Sequence, residues 1–407
     1  VNPRAWLAGA AARLSRPAEV DLGDGDWPHH PMSLADGHSG FAMVFARLSE
    51  ESPELRKVAH EHLSTAARAQ RPAVENLFDG LPSLGFAART IARAEGDYRG
   101  LLARVDPSVL RLAENLVDAE EARLRDGQPG ARMARYDVTS GLAGLGRYLL
   151  ACGAEAVLAR VLGYLVRLTE PVVVHGHRIP GWWTPDPPML ADPMSHPDGH
   201  LNIGMAHGIS GPLALLALSH RHGIVVDGHE AAMRRIVTWL LARRGSDQYG
   251  PYWPALVPLE QELAGTVESL APSRVAWCYG APGVARAVQL AATALGEPAW
   301  AEEAKSTLRA ALRRPWEHWG IRDASLCHGS AGALHATALV LGREAEALPM
   351  LCDHLLSLRE GDAVVTVPPN RPGFLDGTAG TLLALHEHLN PSSSPARLPW
   401  SAALLLA

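Results

Sequence analysis

Gly208-Ile-Ser-Gly211 runs directly into Pro212-Leu-Ala-Leu-Leu-Ala-Leu218, a turn of small residues opening onto a segment with no polar side. A helix that is apolar all round is one enclosed by protein. The same turn recurs as Gly37-His-Ser-Gly40, Gly141-Leu-Ala-Gly144, Gly280-Ala-Pro-Gly283, Gly329-Ser-Ala-Gly332 and Gly377-Thr-Ala-Gly380, with a stretched copy at Gly80-Leu-Pro-Ser-Leu-Gly85. Each is followed by a small-residue apolar run, so seven copies predict seven inner helices. Between them lie amphipathic segments, at Ser108 to Arg125, Glu155 to Thr169, His229 to Arg244, Pro298 to Arg313 and Glu344 to Leu358, that predict outer helices with one charged face.

No such hairpin can bury its own apolar face, so the pairs must stack as an open solenoid or a closed ring. The spacing of second glycines ranges from 45 residues (Gly40 to Gly85) to 72 (Gly211 to Gly283), too irregular for a regular solenoid. The expectation is an all-α protein, an α/α toroid of seven helical hairpins forming one domain over residues 1–407. An irregular excursion or short hairpin at about 169–202, carrying Trp182-Trp183 and several prolines, is expected to interrupt it as a candidate lid.

Composition agrees. The 407 residues are 47% hydrophobic and 20% charged, enough apolar material for a large core and too much for disorder. Only 6% are aromatic, which favours packed helices over β-sandwiches. A net charge of -6 without a Lys/Arg cluster argues against nucleic acid as a partner. Four scattered cysteines do not make a disulfide framework, and no signal peptide or membrane-length apolar run is seen. The start at Val1 is read as trimming, and the expected location is cytoplasmic.

The chemistry is expected just before each turn. The residue preceding the first glycine is, in order, Asp36, Asp79, Ser140, His207, Tyr279, His328 and Asp376; one position further back stand Ala35, Phe78, Thr139, Ala206, Cys278, Cys327 and Leu375. Helix N-capping accounts for Asp36, Asp79, Ser140 and Asp376. It does not account for Cys278, Cys327 and His328, which occupy equivalent places in successive repeats. Two thiolates and an imidazole make a Cys2His set that leaves a fourth position open, and sulfur donors select zinc. Cys152 and Cys352, inside apolar runs, are read as small buried hydrophobes. His207 suits a general acid or base, with Asp137, four residues before Gly141, to orient it. Arg274 and Tyr279 are placed to donate hydrogen bonds to a developing oxyanion.

Trp277-Cys-Tyr-Gly-Ala-Pro-Gly283, Leu326-Cys-His-Gly-Ser-Ala-Gly332, Met205-Ala-His-Gly-Ile-Ser-Gly211 and Tyr136-Asp-Val-Thr-Ser-Gly141 resemble the lanthipeptide cyclase (LanC-like) family, with all seven repeats taking part. The resemblance implies a seven-hairpin toroid, one zinc ion on Cys278, Cys327 and His328, and active-site roles for Asp137, His207, Arg274 and Tyr279. It also implies a stand-alone cyclase that adds Cys thiolates of a dehydrated, leader-containing precursor peptide to dehydroalanine or dehydrobutyrine. A separate dehydratase and an exporter complex at the membrane would be its partners. Two other readings use the same residues: a toroidal glycoside-processing enzyme with paired carboxylates among Asp36, Asp137 and Asp376, and a non-catalytic zinc-containing peptide scaffold. Within the family, a glutathione-handling homologue is a further alternative.

Overall fold

The computed structural model describes residues 2–22, 29–188, 196–358, 371–392 and 398–407. The seven apolar runs are helices: His38–Leu48, Leu81–Ile91, Leu142–Cys152, Ser210–Arg221, Ala281–Leu295, Ser330–Leu341 and Thr378–Leu389. Nearly every residue in them is buried, polar Ser39, Ser83, Ser210, Ser330 and Thr381 included. The outer helices are Leu55–Arg68, which was not among the expected segments, and, as expected, Arg99–Arg125, Glu155–Leu168, His229–Ala242, Pro298–Leu312 and Ala347–Ser357. The second of these begins well before the expected Ser108, because Pro107 sits inside the helix without ending it. The seventh inner helix takes its partner from the other end of the chain, since Pro3–Leu14 packs on Thr378–Leu389. No helix among the described residues is long and apolar enough to cross a membrane.

Contacts divide the chain into two compact units, Val1–Val109 with Ile321–Ala403, and Leu110–Gly320 with Leu404–Ala407. In the first unit the inner helices neighbour one another in the order Ser330–Leu341, Thr378–Leu389, His38–Leu48, Leu81–Ile91; in the second the order is Leu142–Cys152, Ser210–Arg221, Ala281–Leu295. Consecutive turns are stitched by one repeated backbone bond. The N–H three residues before a first glycine donates to the carbonyl two residues before the next one. The pairs are Leu34 to Phe78 (2.7 Å), Leu326 to Leu375 (3.0 Å) and Phe374 to Ala35 in the first unit, and Val138 to Ala206 (3.0 Å) and Met205 to Cys278 (2.8 Å) in the second.

The second glycine exists for this junction. A Cβ on Gly283 would lie 2.1 Å from the Trp277 carbonyl oxygen and 2.9 Å from Met205 Cβ, the side chain of the preceding turn. Gly211 meets Val138, Gly380 meets Leu326 and Gly40 meets Phe374 in the same way. In the second copy the sequence suggested a stretched turn, but its helix starts at the usual place, after Gly80. Ser83 occupies the second-glycine position, its hydroxyl bonding the Met32 and Gly80 carbonyls.

The expected N-caps are not found. The capping residues are the glycines Gly37, Gly80, Gly141 and Gly377, none with a side-chain capping bond, and Asp36, Asp79, Ser140 and Asp376 stand one position too early. Upstream backbone carbonyls take the role instead. His38, Ser330 and Thr378 N–H groups donate to Pro31, Asp323 and Arg371, while Gly144, Gly332 and Gly380 donate to Asp137, Ser325 and Gly373. With the helix-end donors met by backbone, the side chains before each glycine are released for other work.

The excursion contains the short hairpin Val172–Val174 and His177–Ile179; residues 189–195 of it lie outside the described residues. Trp182 and Trp183 are buried, Trp182 edge-on to Trp239 at 5.2 Å, so they anchor this segment to the core. Two further strand pairs, His200–Asn202 with Leu256–Pro258 and Gly245–Asp247 with Gly250–Tyr252, were not expected.

Gly283→Ala is expected to lower unfolding free energy by roughly 1–3 kcal/mol through overpacking. Gly163→Ala, on the outer helix with nothing within 4 Å of the added methyl, is expected to raise it by about 0.4–1 kcal/mol. Urea melts of the two variants compare them directly.

Candidate functional site

The second unit holds an imidazole on a carboxylate. The turn bond from Val138 to Ala206 sets Asp137 beside His207, and Asp137 Oδ2 lies 2.7 Å from His207 Nδ1. Asp137 Oδ1 meanwhile accepts from the Ser140 and Gly141 N–H groups at 2.7 and 2.8 Å, so the carboxylate is locked by its own turn before it meets the ring. Thr139 Oγ1 donates to Asp137 Oδ2 at 3.2 Å. A carboxylate only accepts, so the ring proton belongs on Nδ1 and Nε2 is the nitrogen left for exchange. Asp137 is 2% exposed at its side chain and His207 15%: the orienting group is sealed and the imidazole is reachable.

Tyr279 lies against the same ring, with centroids 6.2 Å apart. Its hydroxyl accepts from Asn202 Nδ2 at 3.0 Å, and Asn202, fully buried, accepts the Gly204 N–H through Oδ1. Gly280, which follows Tyr279, has φ +140, and a Cβ there would strike the Arg274 carbonyl oxygen at 1.7 Å, so only glycine closes this turn. Cys278 is buried, and its carbonyl receives both Met205 and Ala206 N–H groups. The Arg274 side chain is exposed and makes no hydrogen bond or ion pair among the described residues; it is not drawn to Asp137, His207 or Tyr279.

The first unit holds donors suited to a metal ion. Cys327, His328 and Asp376 offer a sulfur, a ring nitrogen and a carboxylate oxygen all within 4.8 Å of one another. His328 stands between two carboxylates, Nε2 at 2.9 Å from Asp323 Oδ2 and Nδ1 at 3.5 Å from Asp376 Oδ1. A carboxylate behind one ring nitrogen is the arrangement that orients the other toward a metal. Burial pushes the Asp323 carboxyl up, but His328 and the Ser325 hydroxyl and N–H outweigh it and hold it below the usual range. Asp376 is shifted the other way, raised by burial and by the charge of Asp323. Its Oδ1 atom is sealed from solvent, and the carboxyl group accepts a hydrogen bond from the Cys327 thiol. A thiol, an imidazole and a carboxylate within reach of one another are a donor set that fits a thiophilic divalent cation.

Residues 28–405 match the family model described as "Lanthionine synthetase C-like protein". The chain belongs to the lanthionine synthetase C-like family. A curated relative, "Nisin biosynthesis protein NisC" of Lactococcus lactis subsp. lactis, is 26% identical over 211 residues; the match spans 50% of this chain and 49% of that protein, about half of each. A solved structure of "Nisin cyclase" aligns over 100% of this chain and 96% of its own with a TM-score of 0.77, at 20% identity. That match carries the fold, and the α/α toroid class expected from the repeats is its class.

In this lanthionine synthetase C-like chain, the structure therefore joins Asp137, His207 and Tyr279 in one unit and Cys327 and His328 in the other, with Cys278 at the equivalent turn position of the former. Asn202, Asp323 and the place of Asp376 beside Cys327 and His328 were missed. Asp323 and Asn202 both lie six residues before a first glycine, and that register was the available signal. All four cysteines are free thiols; Cys352 is buried as expected, whereas Cys152 is only half-buried.

The Asp36 carboxyl is pushed up to about 7 by burial, reinforced by the charges of Asp376 and Asp79 and opposed by Arg371. Unfolded, it ionises near the ordinary 3.8, so its contribution to stability falls as pH rises from about 4 through 7. Asp36→Asn is expected to raise the melting temperature by a few degrees at pH 8, with a smaller gain at pH 5; thermal melts at the two pH values check it.

Proposed function

We propose that this protein is a zinc-dependent lanthipeptide cyclase. Its reaction is the intramolecular addition of a Cys thiol in a dehydrated, leader-containing precursor peptide to a dehydroalanine or dehydrobutyrine of the same peptide, closing a lanthionine or methyllanthionine thioether ring. The observation that carries this reading is the convergence of the Cys327 and His328 donors, with Asp323 behind the imidazole, in a chain that matches the family over residues 28–405. The names of both relatives, a nisin biosynthesis protein and a nisin cyclase, support a peptide substrate.

Cys278, Cys327 and His328 would hold the zinc, which when bound supplies the positive charge that ionises a peptide thiol of pKa ~8.5 at neutral pH. The protein's own side chains handle the rest. Attack of sulfur on the β carbon pushes an electron pair onto the adjacent amide carbonyl, and the resulting enolate must gain a proton at its α carbon. His207 is built for that transfer. Asp137 fixes its tautomer and stabilises the imidazolium, so Nε2 can take up the proton the thiol loses and return it to carbon. The Tyr279 hydroxyl, held by Asn202, and the exposed Arg274 guanidinium act as donors to the carbonyl oxygen while it carries negative charge. The thiol proton ends on the α carbon and nothing is oxidised or reduced. A cytoplasmic setting, a separate dehydratase and association with an exporter complex belong to the same proposal.

Purified protein incubated with a dehydrated precursor is expected to contain zinc and to shield the peptide's cysteines from alkylation without changing its mass. Cys327→Ala should lose both zinc and ring formation; rings formed by that variant would reject the metal-centred reading. His207→Asn should keep its zinc while kcat falls about 10²–10⁴-fold. Thiol labelling with mass spectrometry, alongside elemental analysis, reads each outcome.

A further inference from the structure

Two places before the first glycine of each turn stand Ala35, Phe78, Thr139, Ala206, Cys278, Cys327 and Leu375. Four of these are apolar and two are the cysteines of the proposed zinc site. Thr139 is the remaining one, a hydroxyl at the place that elsewhere carries a thiol. Its turn is the one that presents Asp137 to His207.

Neither capping nor turn closure uses this hydroxyl. Gly141 is the N-cap of Leu142–Cys152 with no side-chain capping bond, and the Ser140 and Gly141 N–H groups go to Asp137 Oδ1. Thr139 Oγ1 instead lies 3.2 Å from Asp137 Oδ2 and 3.1 Å from His207 Nδ1, closing a triangle whose third side is the 2.7 Å contact between Asp137 and His207. Since a carboxylate only accepts, the Thr139 O–H donates to Oδ2 and an oxygen lone pair is left to face the His207 Nδ1–H. One hydrogen bond lets an imidazole pivot about it. A second acceptor on the same N–H fixes the ring plane and the line along which Nε2 points. On the other side of the pair, Asp137 Oδ1 takes two backbone donors while Oδ2 takes the hydroxyl and the ring, so all four acceptor positions of a side chain only 2% exposed are filled from within the protein.

We propose that Thr139 is a positioning residue for the proton transfer, its hydroxyl holding the His207 ring in the plane that aims Nε2 and completing the donor set around Asp137. The inference rests on the reading that His207 carries a proton during ring closure. Because the hydroxyl bonds both members of the pair at once, the neutral ring and the imidazolium meet the same fixed dipoles as the proton comes and goes. Thr139 acts through His207, so its loss slows the chemical step without weakening peptide binding.

The test is steady-state ring closure by the full-length, zinc-loaded protein on a dehydrated precursor, followed by thiol labelling and mass spectrometry. Thr139→Val removes the hydroxyl at nearly constant shape, Thr139→Ala is a second deletion should the valine disturb folding, and Thr139→Ser keeps the hydroxyl; melting curves establish that each is folded. The Val and Ala variants are expected to lose about 10–100-fold in kcat with KM and zinc content unchanged, and Thr139→Ser to stay closer to the parent than to either. In a His207→Asn background, Thr139→Val is expected to cost nothing further, the signature of a residue that works through the imidazole. Parent-like kcat in both folded deletion variants would overturn the proposal, as would an equal fall in the His207→Asn background or a Thr139→Ser variant as slow as Thr139→Val. A parent protein that closes no ring would overturn the cyclase reading itself, an outcome distinct from an active parent indifferent to Thr139.

Discussion

One backbone hydrogen bond, repeated from turn to turn, governs this molecule. Each joins the N–H three places before a glycine to a carbonyl two places before the next, as in Met205 to Cys278 and Leu326 to Leu375. The bond forms only if the following inner helix can come close, and that approach is set by the second glycine of its turn, where no Cβ intervenes between Gly283 and Met205 or between Gly380 and Leu326. Helix packing, turn spacing and the placement of every reactive side chain follow from this junction.

The same geometry separates structural duty from chemical duty. Loop carbonyls such as Asp323, Arg371 and Ser325 satisfy the free N–H groups of the inner helices. Side chains just before the glycines are consequently not consumed in capping, and His207, Tyr279, His328 and Asp376 become available as donors, acceptors or ligands. Upstream polar residues do the orienting: Asp137 on His207, Asn202 on Tyr279, Asp323 on His328. His207, Tyr279 and His328 thus each have a buried partner drawn from the turn scaffold, which fixes their orientation without rigid extra elements.

The inner helices, and the positions that carry chemistry, were legible because glycine pairs and apolar runs are local signals. Pairing of Asp137 with His207 was legible too, since both occupy defined places in successive turns. What escaped was whatever depends on a partner far away in the chain. Asp376 reads as a cap until the structure shows loop carbonyls already in that role, and Asn202 is mute until Tyr279, 77 residues later, is seen beside it. Ser83 was hidden by Gly85, a glycine in the wrong place to serve as the register mark. Strands His200–Asn202 and Leu256–Pro258 are three residues each, too short for an alternating pattern to emerge.

The pairing of Pro3–Leu14 with Thr378–Leu389 bears on how the polypeptide matures at the ribosome. Residues of the first unit come from the two ends of the chain, whereas the second is almost wholly contiguous. Vectorial synthesis therefore lets the middle portion consolidate while the earlier-made helices Pro3–Leu14 and His38–Leu48 wait, with the faces that pack on Thr378–Leu389 unburied, for that later-made helix. In that interval the two helices present an apolar face of the kind chaperones shield.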